Sequence, residues 1–200
     1  MTDDIDALTL DITVCTACPL HAGRTHTVPG DGPMPAPLLL LGEGPGADED
    51  RTGHPFVGRA GQLLTKMLAA IGIDRTRVYI TNVVKCRPPE NRTPTEDEAL
   101  ACAPFLARQI ALVDPTILVP LGLPATQMLL GSQVTALQPV RGQWHRLGDR
   151  LVFPLFHPAY LLRQPSAKAT AWADLQQLAE RLHALDLYTA VALAPEPRLF

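Results

Sequence analysis

Apolar positions in this chain follow two rhythms, and they alternate. Residues 37–41 are apolar at every position and run into Gly42-Glu43-Gly44-Pro45-Gly46. That is the pattern of a parallel strand buried on both faces and feeding a tight loop. Residues 61–71 then place Leu63, Leu64, Met67, Leu68 and Ile71 at helical spacing, and Gly72 stops the run. A second strand is predicted over 78–84. Thr95 with Glu98 three residues on reads as a capping box opening a helix through 99–113. A third strand spans 116–122, with a short helix over 123–130 closed by Gly131. A fourth strand over 150–155 leads into Phe156-His157-Pro158, and the last helix covers 166–185. Residues 190–200 hold Pro195 and Pro197 without a clear period and read as a frayed tail. The domain is therefore drawn as 1–188, with a flexible segment over 189–200.

Strand followed by helix, four times over, argues for an α/β sandwich with a mainly parallel sheet. Ligands of such sheets bind beyond the carboxyl ends of the strands. The unusual residues stand there: Glu43 after the first strand, Asn82 near the end of the second, Gly122 after the third and His157 after the fourth.

Composition narrows the picture. Of 200 residues, 46% are hydrophobic and 18% charged, which is globular and not disordered. No apolar run approaches the roughly 20 residues of a membrane helix, so no membrane association is expected. The N-terminus is acidic and lacks an apolar signal stretch, which points to a cytoplasmic chain. The net charge of −3 argues against a bulk polyanion binder, although a local basic face is compatible with it.

Four cysteines change the picture more. Cys15 and Cys18 form C-x2-C, while Cys86 and Cys102 lie far downstream, with fifteen residues between them. In a cytosolic chain this set reads as a metal site rather than as disulfides. Four thiolates suit a [4Fe–4S] cluster or a four-cysteine zinc site, and spacing does not separate the two.

Other motifs each admit two readings. The first glycine-rich loop lacks the Lys-Ser/Thr of a phosphate loop. It is either a plain turn or a backbone that approaches a planar ligand closely. In the stretch from Arg51 to Gly61, Phe56 is either a core anchor or a stacking platform for a flat ring. Asn82, in an apolar strand, either ties down a loop or presents one donor and one acceptor edge-on to a ligand. His157 is either structural or a group at the mouth of a cleft, and its backbone is held extended by Pro158.

These pieces, in order, resemble the family 4 uracil-DNA glycosylases. The resemblance is carried by Cys15-Thr16-Ala17-Cys18-Pro19-Leu20, by Gly42 to Asp50 and by Gly53 to Leu64. It continues through Thr81-Asn82-Val83-Val84-Lys85-Cys86-Arg87-Pro88-Pro89 and His157-Pro158-Ala159-Tyr160-Leu161-Leu162-Arg163. It implies a three-layer α/β/α fold around a four-stranded parallel sheet, and a [4Fe–4S] cluster on Cys15, Cys18, Cys86 and Cys102. It further implies a monomer that flips uracil out of single- or double-stranded DNA and hydrolyses its glycosidic bond in base excision repair. By resemblance, Asn82 pairs with uracil O4 and N3–H, Phe56 stacks on the ring, and backbone around Glu43 and Gly44 contacts the base. Glu49 lies near C5, where it excludes a thymine methyl. His157 donates to O2, and Glu43 is the candidate for positioning water or supporting the cation-like sugar. Leu161 or Leu162 is the candidate wedge for the gap left by the base. Arg59, Lys85, Arg163 and Lys168 are candidates for phosphate contact. The alternatives are a family 5 branch of broader base specificity and a non-catalytic, polymerase-associated module.

Overall fold

A computed structural model describes residues 4–188. The predicted tail and the end of the chain from 189 onward lie outside them. One five-stranded sheet has the order β2-β1-β3-β5-β4, formed by β1 (Leu38–Gly42), β2 (Tyr79–Asn82), β3 (Ile117–Pro120), β4 (His145–Leu147) and β5 (Arg150–Val152). The four predicted strands are all present and parallel. The fifth strand, β4, is a correction to the expected count: it pairs antiparallel with β5 at the edge. Its three residues are mostly exposed and polar, so no period marks them, and Gly148 supplies the positive φ of the connecting turn.

Burial on both faces explains the unbroken apolar run of β1. Leu38 and Leu40 join Ile80, Ile117 and Val119 in one core layer, beneath α3 (Arg59–Ala70), α6 (Pro158–Arg163) and α7 (Lys168–Ala184). Leu39 and Leu41 point the other way and join Tyr79, Leu118 and Val152 beneath α4 (Glu96–Val113) and α5 (Leu123–Leu130). Successive side chains of a strand face opposite sides, so one sequence feeds both layers. The α/β/α sandwich follows.

Strand β5 is shorter than predicted. Pro120 of β3 has no N–H to donate toward Phe153, so the ladder breaks after Val152 and resumes where Leu155 N donates to the Pro120 carbonyl. Three helices escaped prediction. The first, α1 (Ile5–Val14), is capped by Asp4 and buries only Leu8 and Ile12. The second, α2 (Ala47–Thr52), is six residues long, as is α6, which starts at Pro158. These helices carry too few apolar turns for a period to show.

Candidate active site

The carboxyl ends of β1, β2, β3 and β5 open onto one cleft of about 850 Å³. Glu43, Gly44, Glu49, Phe56, Arg59, Asn82, Gly122, His157 and Arg163 all line it. The sheet thus gathers residues that are more than a hundred positions apart in sequence.

Asn82 ends β2 and is only 2% exposed. Its side-chain Oδ1 is buried and has no hydrogen-bond partner. An orphan acceptor of this kind costs free energy in the free protein, which a ligand donor can recover. Gly42, paired with Asn82 across the sheet, leaves the room. A Cβ on Gly42 would lie 2.2 Å from Asn82 Oδ1 and 2.6 Å from Phe56 Cζ.

Phe56 belongs to the buried core layer, as a core anchor does, and it also lines the cleft. Its backbone has φ of 52°, a left-handed conformation that costs a non-glycine residue free energy. Two devices hold it. Arg75 donates to the Phe56 carbonyl at 2.9 Å and to the Pro55 carbonyl at 2.6 Å. Gly61 lets that carbonyl approach, since a Cβ there would sit 1.8 Å from the oxygen. Nothing in the sequence flagged Arg75, because its role depends on contacts between segments; Gly42 was marked only as part of the first glycine-rich loop, and its part against Asn82 and Phe56 emerges with the fold.

The Glu49 carboxylate works as a clamp. It accepts from Val57 N at 2.8 Å, from Gly58 N at 2.9 Å and from Gly46 N at 3.1 Å. The first glycine-rich loop and the loop carrying Phe56 are thereby pinned to each other.

His157 caps α6. Its Nδ1 accepts from the Ala159 N–H at 3.1 Å, so Nε2 carries the proton of the neutral ring. Burial, with a smaller push from Arg163, lowers its pKa to about 4. The ring is therefore a neutral hydrogen-bond donor at neutral pH. It lies against Phe56, ring centroids 5.7 Å apart. Gly122, at φ of +88°, permits the approach, because a Cβ would come within 3.2 Å of His157 Cβ.

Two expected DNA contacts do not reach the surface. Lys85 is 1% exposed, and its ammonium donates to Thr81 Oγ1, the Asn82 carbonyl and Gln109 Oε1 at 2.6–2.7 Å. It braces the strand end beneath Asn82 and cannot meet a phosphate. Leu161 is fully buried in the core, so it is not a wedge, and Leu162 packs against the same core. The small helix α6 turns its apolar side inward and leaves Tyr160 and Arg163 outside.

A model of the uracil DNA glycosylase superfamily matches residues 29–176, which spans every element of this cleft. The chain belongs to that superfamily. Within it, the type-4 uracil-DNA glycosylase of Thermotoga maritima is 51% identical over 155 residues, 76% of this chain and 80% of the relative. The type-4 enzyme of Sulfurisphaera tokodaii is 41% identical over 186 residues, covering 89% and 84% respectively. A type-5 uracil-DNA glycosylase of Thermus thermophilus is 34% identical over 159 residues, 64% of this chain and 72% of the relative. The chain is a type-4 member, as the resemblance had implied.

The four cysteines of this glycosylase-family chain face a second, small cavity. Cys15 ends α1, Cys18 follows it, Cys86 comes four residues after β2, and Cys102 sits in α4. All four are free thiols. Arg24 donates to Cys86 Sγ at 3.2 Å and to the Cys15 carbonyl at 2.8 Å, tying the two segments together. Burial raises the pKa of Cys86, and that of Cys102 to about 11. Among the described residues no group of three or more His, Cys, Asp or Glu side chains is arranged so as to hold a metal ion. The donor set is nonetheless all sulfur, in one cavity, and fits a thiolate-ligated cluster.

Proposed function

We propose that this protein is a uracil-DNA glycosylase of base excision repair that hydrolyses the bond between uracil N1 and the deoxyribose of DNA. The observation that carries the reading is the pair facing the cleft: a buried, unpartnered Asn82 Oδ1 and a neutral His157 whose Nε2 holds the proton. In uracil, N3–H is a donor beside the O4 acceptor. An Asn82 amide held in one orientation matches both and opposes cytosine, which reverses them. Phe56 stacks on the ring. Glu49 and the two loops it clamps form the wall near C5, where a methyl group would collide.

As the glycosidic bond breaks, its electron pair leaves with uracil and negative charge gathers on O2. The His157 Nε2–H aimed at that oxygen stabilises charge that is absent from the ground state. Water adds its hydroxyl to C1′ and its proton ends on the released base. Glu43, on the cleft wall, orients that water and supports the cation-like sugar. Arg59 and Arg163 contact phosphates at the rim.

Cys15, Cys18, Cys86 and Cys102 hold a [4Fe–4S] cluster that supplies a covalent tie between α1, α4 and the loop after β2. The chain acts as a monomer in the cytoplasm. No helix among the described residues is long and apolar enough to cross a membrane.

The test is a panel of duplexes carrying uracil, hypoxanthine, ethenocytosine or thymine, incubated with purified protein and cut with alkali at abasic sites. Cleavage confined to uracil supports this reading. Equal cleavage at hypoxanthine supports the broader family 5 specificity, and no cleavage by folded protein supports a non-catalytic module.

A further inference from the structure

Helix α6 carries more than His157. Tyr160 is 39% exposed, the most open aromatic side chain among the large apolar residues described, and it lines the cleft. It does not stand alone. Its ring is stacked on Phe156, with centroids 5.0 Å apart and planes 27° from parallel. Arg141 lies over the Phe156 ring at 4.8 Å. Arg141 is in turn held by Asp174, which is buried on α7. Gly142 makes that ion pair possible, since a Cβ there would meet Asp174 Oδ1 at 2.3 Å. The outer aromatic ring therefore rests on a backed stack, and its position is fixed before any ligand arrives.

The surroundings fit one class of ligand. The cleft, at about 850 Å³, lies toward the upper end for pockets that hold whole drug-sized ligands and so exceeds the needs of one pyrimidine. Leu123, Pro124 and Leu137 also line it, which extends its wall beyond the residues that meet the base. Arg163, three residues after Tyr160 and on the same helical side, is exposed and lines the same cleft. An exposed ring next to a free-facing guanidinium is the arrangement by which proteins hold a nucleotide unit: the ring takes the base and the cation the phosphate.

The geometry points to Tyr160 as a second stacking site, which takes the nucleobase next to the flipped uracil on the same strand while Arg163 meets the adjoining phosphate. This rests on uracil excision by the Asn82 and His157 cleft. It adds a binding position that the excision chemistry does not need. Leu161, buried in the core, cannot supply such a contact; Tyr160 is the ring of that turn that faces outward.

The test uses single-stranded oligonucleotides with one deoxyuridine. On one side of it, and then on the other, stands either adenine or a propanediol spacer that keeps the phosphate and lacks a base. Excision is followed with substrate below saturation. Wild type is expected to favour adenine over the spacer on one side by roughly tenfold, within the range of one base–aromatic stack. Tyr160→Phe keeps that ratio, because the ring face remains. Tyr160→Ala brings it to within about twofold of unity, whereas Arg163→Ala slows both substrates together and weakens the salt dependence by about one phosphate contact. The proposal is overturned if wild type shows no preference on either side, or if Tyr160→Ala keeps the wild-type ratio. Failure to excise uracil from every oligonucleotide would instead overturn the glycosylase reading, so the two failures are distinct.

Discussion

Replacing His157 with asparagine separates its two jobs. The ring caps α6 through Nδ1, which accepts from Ala159 N, and presents Nε2–H to the cleft. Asparagine is among the best N-cap residues, and its side-chain oxygen stands where Nδ1 does. It keeps the cap and loses the donor. His157→Asn should therefore melt within about 0.5 kcal/mol of wild type, while His157→Ala loses about 1 kcal/mol with the cap. Both variants lose the donor to the departing O2, and removal of one such donor costs about 10²–10³-fold in rate. Single-turnover excision beside thermal unfolding measures the two effects separately. 5-Fluorouracil, a better leaving group, should lose less than uracil in both variants. The pH dependence carries a second signature. The folded-state pKa of about 4 lies below the ordinary 6.5. Between those values the unfolded chain takes up a proton that the folded chain refuses, so the stability contribution is complete above 6.5 and is lost as pH falls toward 4. Excision should hold its His157-dependent rate from pH 8 to about 5.5 and fall only near 4. A His157→Asn variant that excises at the wild-type rate, or a rate that drops as pH falls from 7 to 6 in step with an ordinary imidazole, would refute the reasoning.

Three further outcomes follow from the geometry. Gly42→Ala places a Cβ 2.2 Å from Asn82 Oδ1 and 2.6 Å from Phe56; excision should fall at least about tenfold, since reacting groups displaced by even ~1 Å lose about 10²-fold, and circular dichroism should show the fold retained. Lys85→Met removes an amine that is 1% exposed and whose pKa burial lowers to about 7; it should destabilise the domain by about 1–3 kcal/mol through the acceptors it leaves buried, yet leave the salt slope of DNA binding in any folded fraction unchanged. Protein purified without oxygen should be brown and carry about four irons per chain, and Cys86→Ser should lower both iron content and melting temperature; stoichiometric zinc without iron would contradict the cluster.

Much of the frame was legible because both core layers draw on one continuous run: Leu38 to Leu41 could only be a strand buried on both faces. Residues 123–130 matched α5 to the residue, since Gly122 and Gly131 bracket it. The hairpin of β4 and β5 was half hidden, because an exposed edge strand of His145, Arg146 and Leu147 has no apolar alternation to read. The cleft was legible from strand ends alone, as Glu43, Asn82 and His157 show. The partners that fix it were not. Arg75 acts on a carbonyl nineteen residues away, and Gly42 acts by what it lacks. Lys85 misled for a related reason: a lysine after Val83 and Val84 reads as the start of a surface loop, and only the fold reveals that Gln109 Oε1 and Thr81 Oγ1 accept hydrogen bonds from it.

The central claim is that the Asn82 amide reads the base that this cleft expels. The most direct measurement is the release of free base from oligonucleotides carrying a single uracil or a single cytosine, by wild type and by Asn82→Asp. Wild type should release uracil and leave cytosine in place. In the variant a carboxylate faces O4 and supplies no amide donor, so uracil release should fall by about 10²-fold or more, while cytosine release rises because its exocyclic amine donates to the new group. A folded Asn82→Asp protein that releases uracil at the wild-type rate, with cytosine untouched, would remove Asn82 from the site and contradict the account.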